Sequence, residues 1–310
     1  MRAVRFTEEG ICVLDVKEPE GDVCVHIRSV SICGSDLGFI SFGPLPFTLG
    51  HEMAGELDDG TPVAVEPLTP CGTCDQCIAG HPQRCRLGFG ATGLGMGLDG
   101  GMADRIRVPE RCLIRLPKSI DLEDACVLEP LAVAIHGLRI AGIELGQRVA
   151  VVGGGSVGLV TVAAARALGC EVGLVARHPH QQAAGAKLGA VAVSGEYALT
   201  VDAAGSDTAV KQACELAAPG GAVLILGVYH GDLKLPGMQV MLKELRIIGS
   251  LTYNHHAGGR DFEAAAALLA REPGIAQALV THRLSLDDAR KAFQLAADRK
   301  SGAIKVVMHP

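Results

Sequence analysis

The first 116 residues consist of short apolar and β-branched runs separated by glycine and proline turns. The clearest runs are residues 24–30, 62–65 and 104–108. In the first of these, Val25 and Ile27 alternate with His26 and Arg28, which is the period of a strand with one buried face. Long helical periodicity is missing here, so the pattern predicts an irregular, barrel-like β domain.

From about residue 133 the pattern changes to β runs that alternate with alanine-rich helical segments. We predict strands at residues 147–152, 171–175, 198–202, 222–226 and 245–250. We predict helices at residues 159–168 and 261–270. This alternation is typical of an α/β fold with a doubly wound parallel sheet. A helix at 286–297 and a strand at 305–308 follow.

A glycine-rich loop joins the first predicted strand of this half to its first helix and reads Gly-Gly-Gly-Ser-Val-Gly. Gly153 permits a tight turn, Gly155 lets the backbone approach a pyrophosphate, and Gly158 allows the helix to pack closely on the strand. The helix N-terminus, with Ser156 and Val157, offers free N–H groups to phosphates. The loop therefore predicts a dinucleotide site, and a glycine-rich turn without a ligand is the alternative.

The end of the second strand of this half bears on the choice between NAD and NADP. Ala176 occupies the position where an acidic residue would bind the 2′-hydroxyl of NAD, and Arg177 follows it. A guanidinium can bind a 2′-phosphate, so we expect NADP to be preferred over NAD. Alternatively, Arg177 is a solvated loop residue and either cofactor is used. Two later strands end near Ala204 and Gly227, where small residues would let a nicotinamide pass.

Four cysteines lie close together at Cys71, Cys74, Cys77 and Cys85. Short gaps let neighbouring thiolates face one ion, and the intervening glycine and proline residues permit a tight lobe. Four thiolates would close the coordination sphere, which predicts a structural zinc site. A metal-free loop or an iron–sulfur site is the alternative, although the spacing does not match that of ferredoxins.

A second group of metal-binding residue types comprises Cys33, His51 and Glu52. A thiol, an imidazole and a carboxylate are ligand types that suit a tetrahedral zinc. Taken alone, a cysteine and a histidine such as Cys33 and His51 are more often a core thiol and a surface or core histidine that binds no metal.

The composition excludes several classes of partner. The chain has 310 residues, a hydrophobic content of 48% and a net charge of −6. The negative charge argues against a nucleic-acid partner and an anionic membrane surface, and the lack of tryptophan argues against stacking on single strands. No apolar run is long enough to span a bilayer, and the N-terminus has no signal core. We therefore expect a cytoplasmic protein.

There are eleven cysteines, and in such a chain metal binding or free thiols are expected instead of a disulfide framework. Those outside the two candidate metal sites lie among apolar residues, and we expect them to be buried thiols. They are Cys12, Cys24, Cys112, Cys126, Cys170 and Cys214.

Together these motifs resemble the zinc-dependent medium-chain alcohol and polyol dehydrogenases. The likeness is carried over nearly the whole chain by Cys33-Gly-Ser-Asp, Gly50-His51-Glu52, the four-cysteine segment, Gly100-Gly101-Met102-Ala103-Asp104 and Leu128-Glu129-Pro130-Leu131-Ala132-Val133-Ala134. The resemblance implies a Rossmann domain and a discontinuous GroES-like β-barrel catalytic domain. It places the catalytic domain at residues 1–132 and 273–310 and the Rossmann domain at 133–272.

The resemblance also implies roles for individual residues. Cys33 and His51 correspond to two ligands of a catalytic zinc, and Glu52 to a further ligand or a carboxylate close to the ion. Glu129 corresponds to a position that is cysteine in typical alcohol dehydrogenases and glutamate in the polyol and threonine dehydrogenase branch. Otherwise it is a charge at a helix N-terminus. Ser35 corresponds to the hydroxyl that begins the proton relay. With the four-cysteine site, this implies two zinc ions per chain.

The resemblance also bears on Gly38 and Lys305. Many relatives carry a histidine where this chain has Gly38, so water or another group must complete the relay here. Lys305 corresponds to a basic position that can reach the cofactor phosphates, and a plain surface lysine is the alternative.

The activity implied is hydride transfer between NAD(P) and a secondary alcohol. The glutamate branch suggests a polyol, sugar, cyclitol or amino alcohol, which reacts to the corresponding ketone. One alternative is an NADPH-dependent reductase that acts on a ketone or aldehyde in the physiological direction. Another is a non-catalytic NADP-binding protein on the same scaffold. By resemblance the chain forms a homodimer or homotetramer.

Overall fold

The computed structural model describes residues 1–256 and 258–310, which divide into two compact units. One unit comprises Met1–Glu129 and Asn254–Pro310, and the other comprises Pro130–Tyr253. The chain therefore returns to the first unit at residue 254, whereas the sequence-based boundary lies at residue 273.

The first segment of the discontinuous unit consists mainly of strands. These are β1 Arg2–Thr7, β2 Gly10–Asp15, β3 Val23–Ser31, β4 Glu52–Glu56, β5 Pro62–Val65, β6 Arg105–Val108 and β7 Leu113–Arg115. The helices of this segment are short: α1 Gly34–Phe39, α2 Asp75–Ile78 and α3 Phe89–Thr92.

The middle of the chain alternates helices and strands, as its sequence pattern predicts. Its helices are α4 Leu128–Ile140, α5 Ser156–Ala167, α6 Pro179–Lys187, α7 Asp207–Leu216 and α8 Gly237–Leu242. Its strands are β8 Arg148–Val152, β9 Glu171–Val175, β10 Tyr197–Asp202, β11 Ala217–Ile225 and β12 Arg246–Gly249. No helix within the described residues is both long and apolar enough to cross a bilayer.

The last segment completes the first unit. Its strands are β13 His255–His256, β14 Gly259–Arg260, β15 Val280–Ser285 and β16 Lys305–His309. Its helices are α9 Asp261–Arg271, α10 Gly274–Leu279 and α11 Ala289–Ala297.

The main sheet of the first unit has the strand order β15-β16-β3-β4-β5-β7, and β6 also pairs with β3. β15 and β16 are parallel to each other, and the other pairs are antiparallel. The buried side chains of these strands, such as Val25, Ile27 and Met53, form one hydrophobic core with α11. Because Ser31 pairs with Glu52, the end of β3 lies beside the start of β4.

The second unit contains a parallel sheet with the order β12-β11-β10-β8-β9. The chain order reverses between β8 and β10, and the glycine-rich loop leaves β8 at this point. In doubly wound folds, ligands bind where the strand order reverses. Beyond β9, Val191 makes a single parallel bridge to Gly173, so the edge of the sheet is short.

A buried carboxylate explains why the chain rejoins the first unit before residue 273. Glu66 is 6% exposed. Its Oε1 lies 2.8 Å from His255 Nε2, and its Oε2 accepts a hydrogen bond from Arg260 at 3.3 Å. The Arg260 guanidinium also donates to the carbonyl of Arg111 at 2.7 Å. These contacts attach β13 and β14 to the first unit, and no local sequence pattern predicts them.

Candidate active site and cofactor site

One aspartate orients two of the predicted zinc ligands. The N–H of Cys33 donates to Asp36 Oδ2 at 2.9 Å, where β3 leads into α1. Asp36 is fully buried, and its Oδ1 lies 3.3 Å from His51 Nδ1. The other ring nitrogen, Nε2, lies 3.2 Å from Ser35 Oγ. A histidine that ligates a metal commonly has such a carboxylate behind its second nitrogen.

The predicted ligands Cys33, His51 and Glu52 lie together in the structure. Each offers one ligand atom, and these atoms lie within 4.8 Å of one another. His51 and Glu52 are buried, and Cys33 is half-buried. Their sulfur, nitrogen and oxygen donors are those that zinc uses in proteins.

Negative charge prevails at this cluster. Burial acts to lower the pKa of His51, but Asp36 and Cys33 outweigh it and raise that pKa well above its usual value. Burial raises the pKa of Glu129 to about 8, and His51 acts in the opposite direction. Glu129 lies in the first turn of α4, outside the group of three. A bound cation would favour the deprotonated form of each donor, which is thiolate, neutral imidazole or carboxylate, so these residue types fit a zinc ion.

Lys305 does not have the role that the sequence suggested. It is 2% exposed, and its ammonium donates to Glu52 Oε1 at 2.8 Å, Glu52 Oε2 at 2.6 Å and the carbonyl of Ile32 at 3.3 Å. Ser31 also donates to Glu52 Oε2. A lysine that is buried and paired in this way is not available to cofactor phosphates. Burial acts to raise the pKa of Glu52, but Lys305 lowers it overall.

The turn before His51 is packed without space for side chains. Gly50 has φ 96°, and a Cβ there would lie 2.6 Å from Met102 Cγ. A Cβ on Gly100 would lie 2.3 Å from the carbonyl oxygen of Gly50. Gly100 and Gly101 belong to a segment that carries the family resemblance, and their packing fixes the backbone that presents His51.

The four-cysteine segment forms a lobe around α2. Cys71, Cys74, Cys77 and Cys85 place their sulfur atoms within 4.8 Å of one another. The Sγ atoms of Cys71 and Cys77 are 3.9 Å apart. Zinc–sulfur bonds of roughly 2.3 Å in a tetrahedron imply a sulfur separation of roughly 3.8 Å. Backbone N–H groups of Thr73 and Cys74 lower the pKa of Cys71 to about 6, which favours the thiolate.

The glycine-rich loop of the second unit has the conformation its sequence predicts. Gly153 has φ 121°, and a Cβ on Gly158 would lie 1.8 Å from the Gly153 carbonyl oxygen. Gly155 instead faces open space, as a backbone segment that approaches a pyrophosphate requires. Ser156, the first residue of α5, has a buried Oγ without a hydrogen-bond partner among the described residues. A phosphate oxygen would satisfy this hydroxyl.

A buried aspartate shapes the strand ends near Ala204 and Gly227, and sequence reasoning missed it. Asp202 Oδ1 accepts hydrogen bonds from Ala204 N at 2.9 Å and Gly205 N at 3.2 Å. Its Oδ2 accepts from the Tyr229 hydroxyl at 2.6 Å. A Cβ on Gly227 would lie 2.1 Å from Gly205 N, so only glycine fits there. An aspartate at the end of a predicted strand, followed by small residues, is the sequence signal that could have identified Asp202.

The end of β9 carries more basic groups than the sequence analysis singled out. Ala176 is half-buried, and Arg177 is exposed. The rings of His178 and His180 stack with their centroids 5.4 Å apart. A side chain on Gly154 would meet Ala176 Cβ at 2.6 Å, so the loop and this strand end pack directly. The two histidines flank Pro179 directly after the predicted strand, and this position in the sequence could have identified them as further basic groups.

Comparison with known proteins agrees with this geometry. A family model described as alcohol dehydrogenase GroES-like domain matches residues 19–118, and one described as zinc-binding dehydrogenase matches residues 192–271. D-xylulose reductase A from Aspergillus niger is 30% identical over 331 residues, which cover 94% of this chain and 90% of the relative.

Two solved structures are similar over the whole chain. One, described as a zinc-binding dehydrogenase from Sinorhizobium meliloti 1021 bound to NADP, has 30% identity and a TM-score of 0.88, and the match covers 100% of this chain and 99% of that chain. Galactitol-1-phosphate dehydrogenase from Escherichia coli has 28% identity and a TM-score of 0.88, with 100% of both chains covered. These findings confirm the resemblance and the predicted fold class. The chain belongs to the zinc-dependent alcohol and polyol dehydrogenase family of oxidoreductases.

Proposed function

We propose that this chain oxidises a secondary alcohol of a polyol or related sugar derivative, or reduces the matching ketone, with NADP as the preferred cofactor. The observation that carries the proposal is the pair formed by half-buried Cys33 and buried His51, both contacted by Asp36, next to the Glu52–Lys305 ion pair. The relatives named as D-xylulose reductase and galactitol-1-phosphate dehydrogenase support a polyhydroxylated substrate. A ketone or aldehyde reductase would catalyse the same hydride transfer in the opposite direction.

In this proposal Cys33, His51 and Glu129 hold the catalytic zinc. Bound there, zinc would supply a Lewis acid that lowers the pKa of a coordinated alcohol. Both oxygens of Glu52 accept hydrogen bonds from Lys305, so we assign Glu52 to a supporting position beside the ligands. Asp36 fixes the orientation of the His51 ring.

We propose that the Ser35 hydroxyl receives the substrate proton; its Oγ lies 3.2 Å from His51 Nε2, the ring nitrogen on the side away from Asp36. Gly38 contributes no side chain to the next step, so in our proposal water carries the proton onward from Ser35. The glycine-rich loop that begins at Gly153 would hold the pyrophosphate of the dinucleotide, and the nicotinamide would supply or accept the hydride. We further propose a cytoplasmic homodimer or homotetramer, and the eleven free cysteines suit a reducing compartment.

A panel of polyols, sugar alcohols, amino alcohols and simple secondary alcohols, with the matching ketones, tests this function. Each compound is assayed with both cofactors by nicotinamide absorbance. We expect turnover to be highest for a polyhydroxylated pair. Turnover confined to simple alcohols would contradict the substrate class, and nucleotide binding without any turnover would favour a non-catalytic protein.

We propose two zinc ions per chain, the second held by the four-cysteine lobe. Cys74→Ser should lower the zinc content of the purified protein by one ion per chain, because a hydroxyl replaces one of four thiolates. Elemental analysis after gel filtration gives the stoichiometry. Cys12→Ser, which changes a half-buried thiol outside the lobe, should leave it unchanged. Equal zinc content in wild type and Cys74→Ser would contradict the assignment.

Arg177→Asp should shift the cofactor preference from NADP towards NAD. Charge-assisted hydrogen bonds contribute about 1.5–3 kcal/mol, so kcat/KM for NADP should fall about 10- to 100-fold, while that for NAD stays equal or rises. Initial rates at varied cofactor concentration measure the shift. Lys187→Asp, at an exposed position of α6, makes the same charge change and should not alter the preference. An unchanged ratio in Arg177→Asp would remove this argument for NADP.

A further inference from the structure

A third group of metal-binding side chains lies at the far end of β3 from the candidate active site. Cys24 and His26 are two residues apart on this strand, so their side chains share one face. Asp58 lies in the turn between β4 and β5, which is closed by a hydrogen bond from Leu57 N to Thr61 O at 3.0 Å. Pairing of β3 with β4 brings this turn beside His26.

The three side chains converge on one point. His26 Nε2 lies 2.8 Å from Asp58 Oδ1. One ligand atom from each of Cys24, His26 and Asp58 lies within 4.8 Å of the other two. Metal–ligand bonds of roughly 2.0–2.3 Å in a tetrahedron require ligand atoms roughly 3.3–3.8 Å apart. Side-chain adjustments of about 1 Å would therefore complete the geometry.

The surroundings permit an ion to enter. The side chains of His26 and Asp58 are 40% and 80% exposed, and both border a surface cavity of about 460 Å³. Cys24 is buried beneath them. Burial raises the pKa of the Cys24 thiol, with Arg107 acting in the opposite direction, so the metal would displace a proton on binding.

The charged neighbours do not prevent binding. Arg105 and Arg107 lie on β6, which pairs with β3, and both act on Cys24 together with Asp58 and Glu18. The Arg105 guanidinium is already paired with Glu18 at 3.0 Å. The positive charges of β6 are therefore partly compensated before a cation arrives.

We propose that Cys24, His26 and Asp58 form a further zinc site, with a fourth position open to water. Thiolate, imidazole and carboxylate favour zinc over magnesium or calcium. Cys24 and Ser31 lie near opposite ends of β3, about 23 Å apart along an extended strand, and Cys33 follows Ser31, so this site is separate from the catalytic ligands. A bound ion would join the β4–β5 turn to β3, and it would stabilise the first unit by binding only the folded state.

The test is equilibrium dialysis of the full chain against a series of buffered free zinc concentrations, with zinc counted per chain. At its plateau, wild type should hold one more zinc ion than Cys24→Ser. His26→Ala and Asp58→Asn should lower the affinity for this additional ion at least about 100-fold. Even residues that only hydrogen-bond to a metal ligand change metal affinity about 10- to 100-fold when they are replaced. Cys12→Ser serves as the matched thiol control and should behave as wild type.

Thermal unfolding supplies a second readout. Raising free zinc through the range in which the last ion binds should increase the melting temperature of wild type by a few degrees, and that of the Cys24→Ser protein by much less. The difference between wild type and variant does not depend on how many of the other sites are filled. Equal plateaus for wild type and Cys24→Ser, or a last ion unaffected by all three substitutions, would overturn the proposal.

Discussion

Cys33→Ser will lose dehydrogenase turnover while it retains cofactor binding. Cys33 supplies the thiolate of the candidate zinc site, and a serine hydroxyl is a far weaker ligand at neutral pH. A bound Lewis acid contributes several kcal/mol to such a reaction, so we expect kcat to fall about 1,000-fold or more. Steady-state rates measure the fall, and NADP binding is measured in parallel by calorimetry.

The parallel measurement distinguishes a chemical defect from a folding defect. The residues that we assign to the cofactor loop, such as Gly155, lie in the other compact unit. NADP affinity should therefore stay within about twofold of wild type. Cys112→Ser, at a buried thiol away from the site, is the control for loss of a sulfur. A Cys33→Ser protein that keeps wild-type turnover would end the proposed zinc mechanism.

Lys305→Met will destabilise the first unit strongly. Lys305 and Glu52 are 2% and 1% exposed, and methionine would leave the Glu52 carboxylate buried without its counter-charge. Removing one partner of a buried ion pair typically costs about 3–5 kcal/mol. Urea unfolding followed by far-ultraviolet circular dichroism, at constant zinc content, measures the change in the free energy of unfolding.

A double variant tests whether the lost pairing is the cause. In Lys305→Met with Glu52→Gln, no unpaired charge remains, so a large part of the lost stability should return. Turnover should not return, because the site next to His51 has lost its carboxylate. If Lys305→Met alone unfolds like wild type, the buried ion pair is not a stabilising feature.

Local motifs were predictable because their physical cause is local. The strand at 171–175 coincides with β9, and the loop from Gly153 to Gly158 has the backbone that its glycines require. Sequence reasoning also identified Cys33, His51 and Glu52, which the structure brings together. In these segments a few neighbouring residues determine the conformation, so spacing alone carries the information.

The remaining features depend on residues distant in sequence. No periodic pattern connects Glu52 with Lys305, 253 positions later, and the lysine was therefore assigned to the wrong partner. The boundary at residue 254 depends on the contacts of Glu66 with His255 and Arg260 in the same way. Cys12 is half-buried where a buried thiol was expected, because it lies on the face of β2 opposite to Ile11, which packs in the core.

The position of Lys305 has a consequence for biosynthesis. It opens β16, whereas Glu52 lies 253 positions earlier in the chain and is therefore synthesised well before its partner. Until Lys305 has been synthesised, Glu52 therefore lacks its ammonium partner, and the folded environment in which it can be buried as an ion is incomplete. The nascent chain can assemble the Cys71–Cys85 lobe early, but it can finish the neighbourhood of His51 only once β16 has been made. A premature stop that removes only this last strand would leave both groups of zinc ligands in the chain and still remove the charge that Glu52 needs.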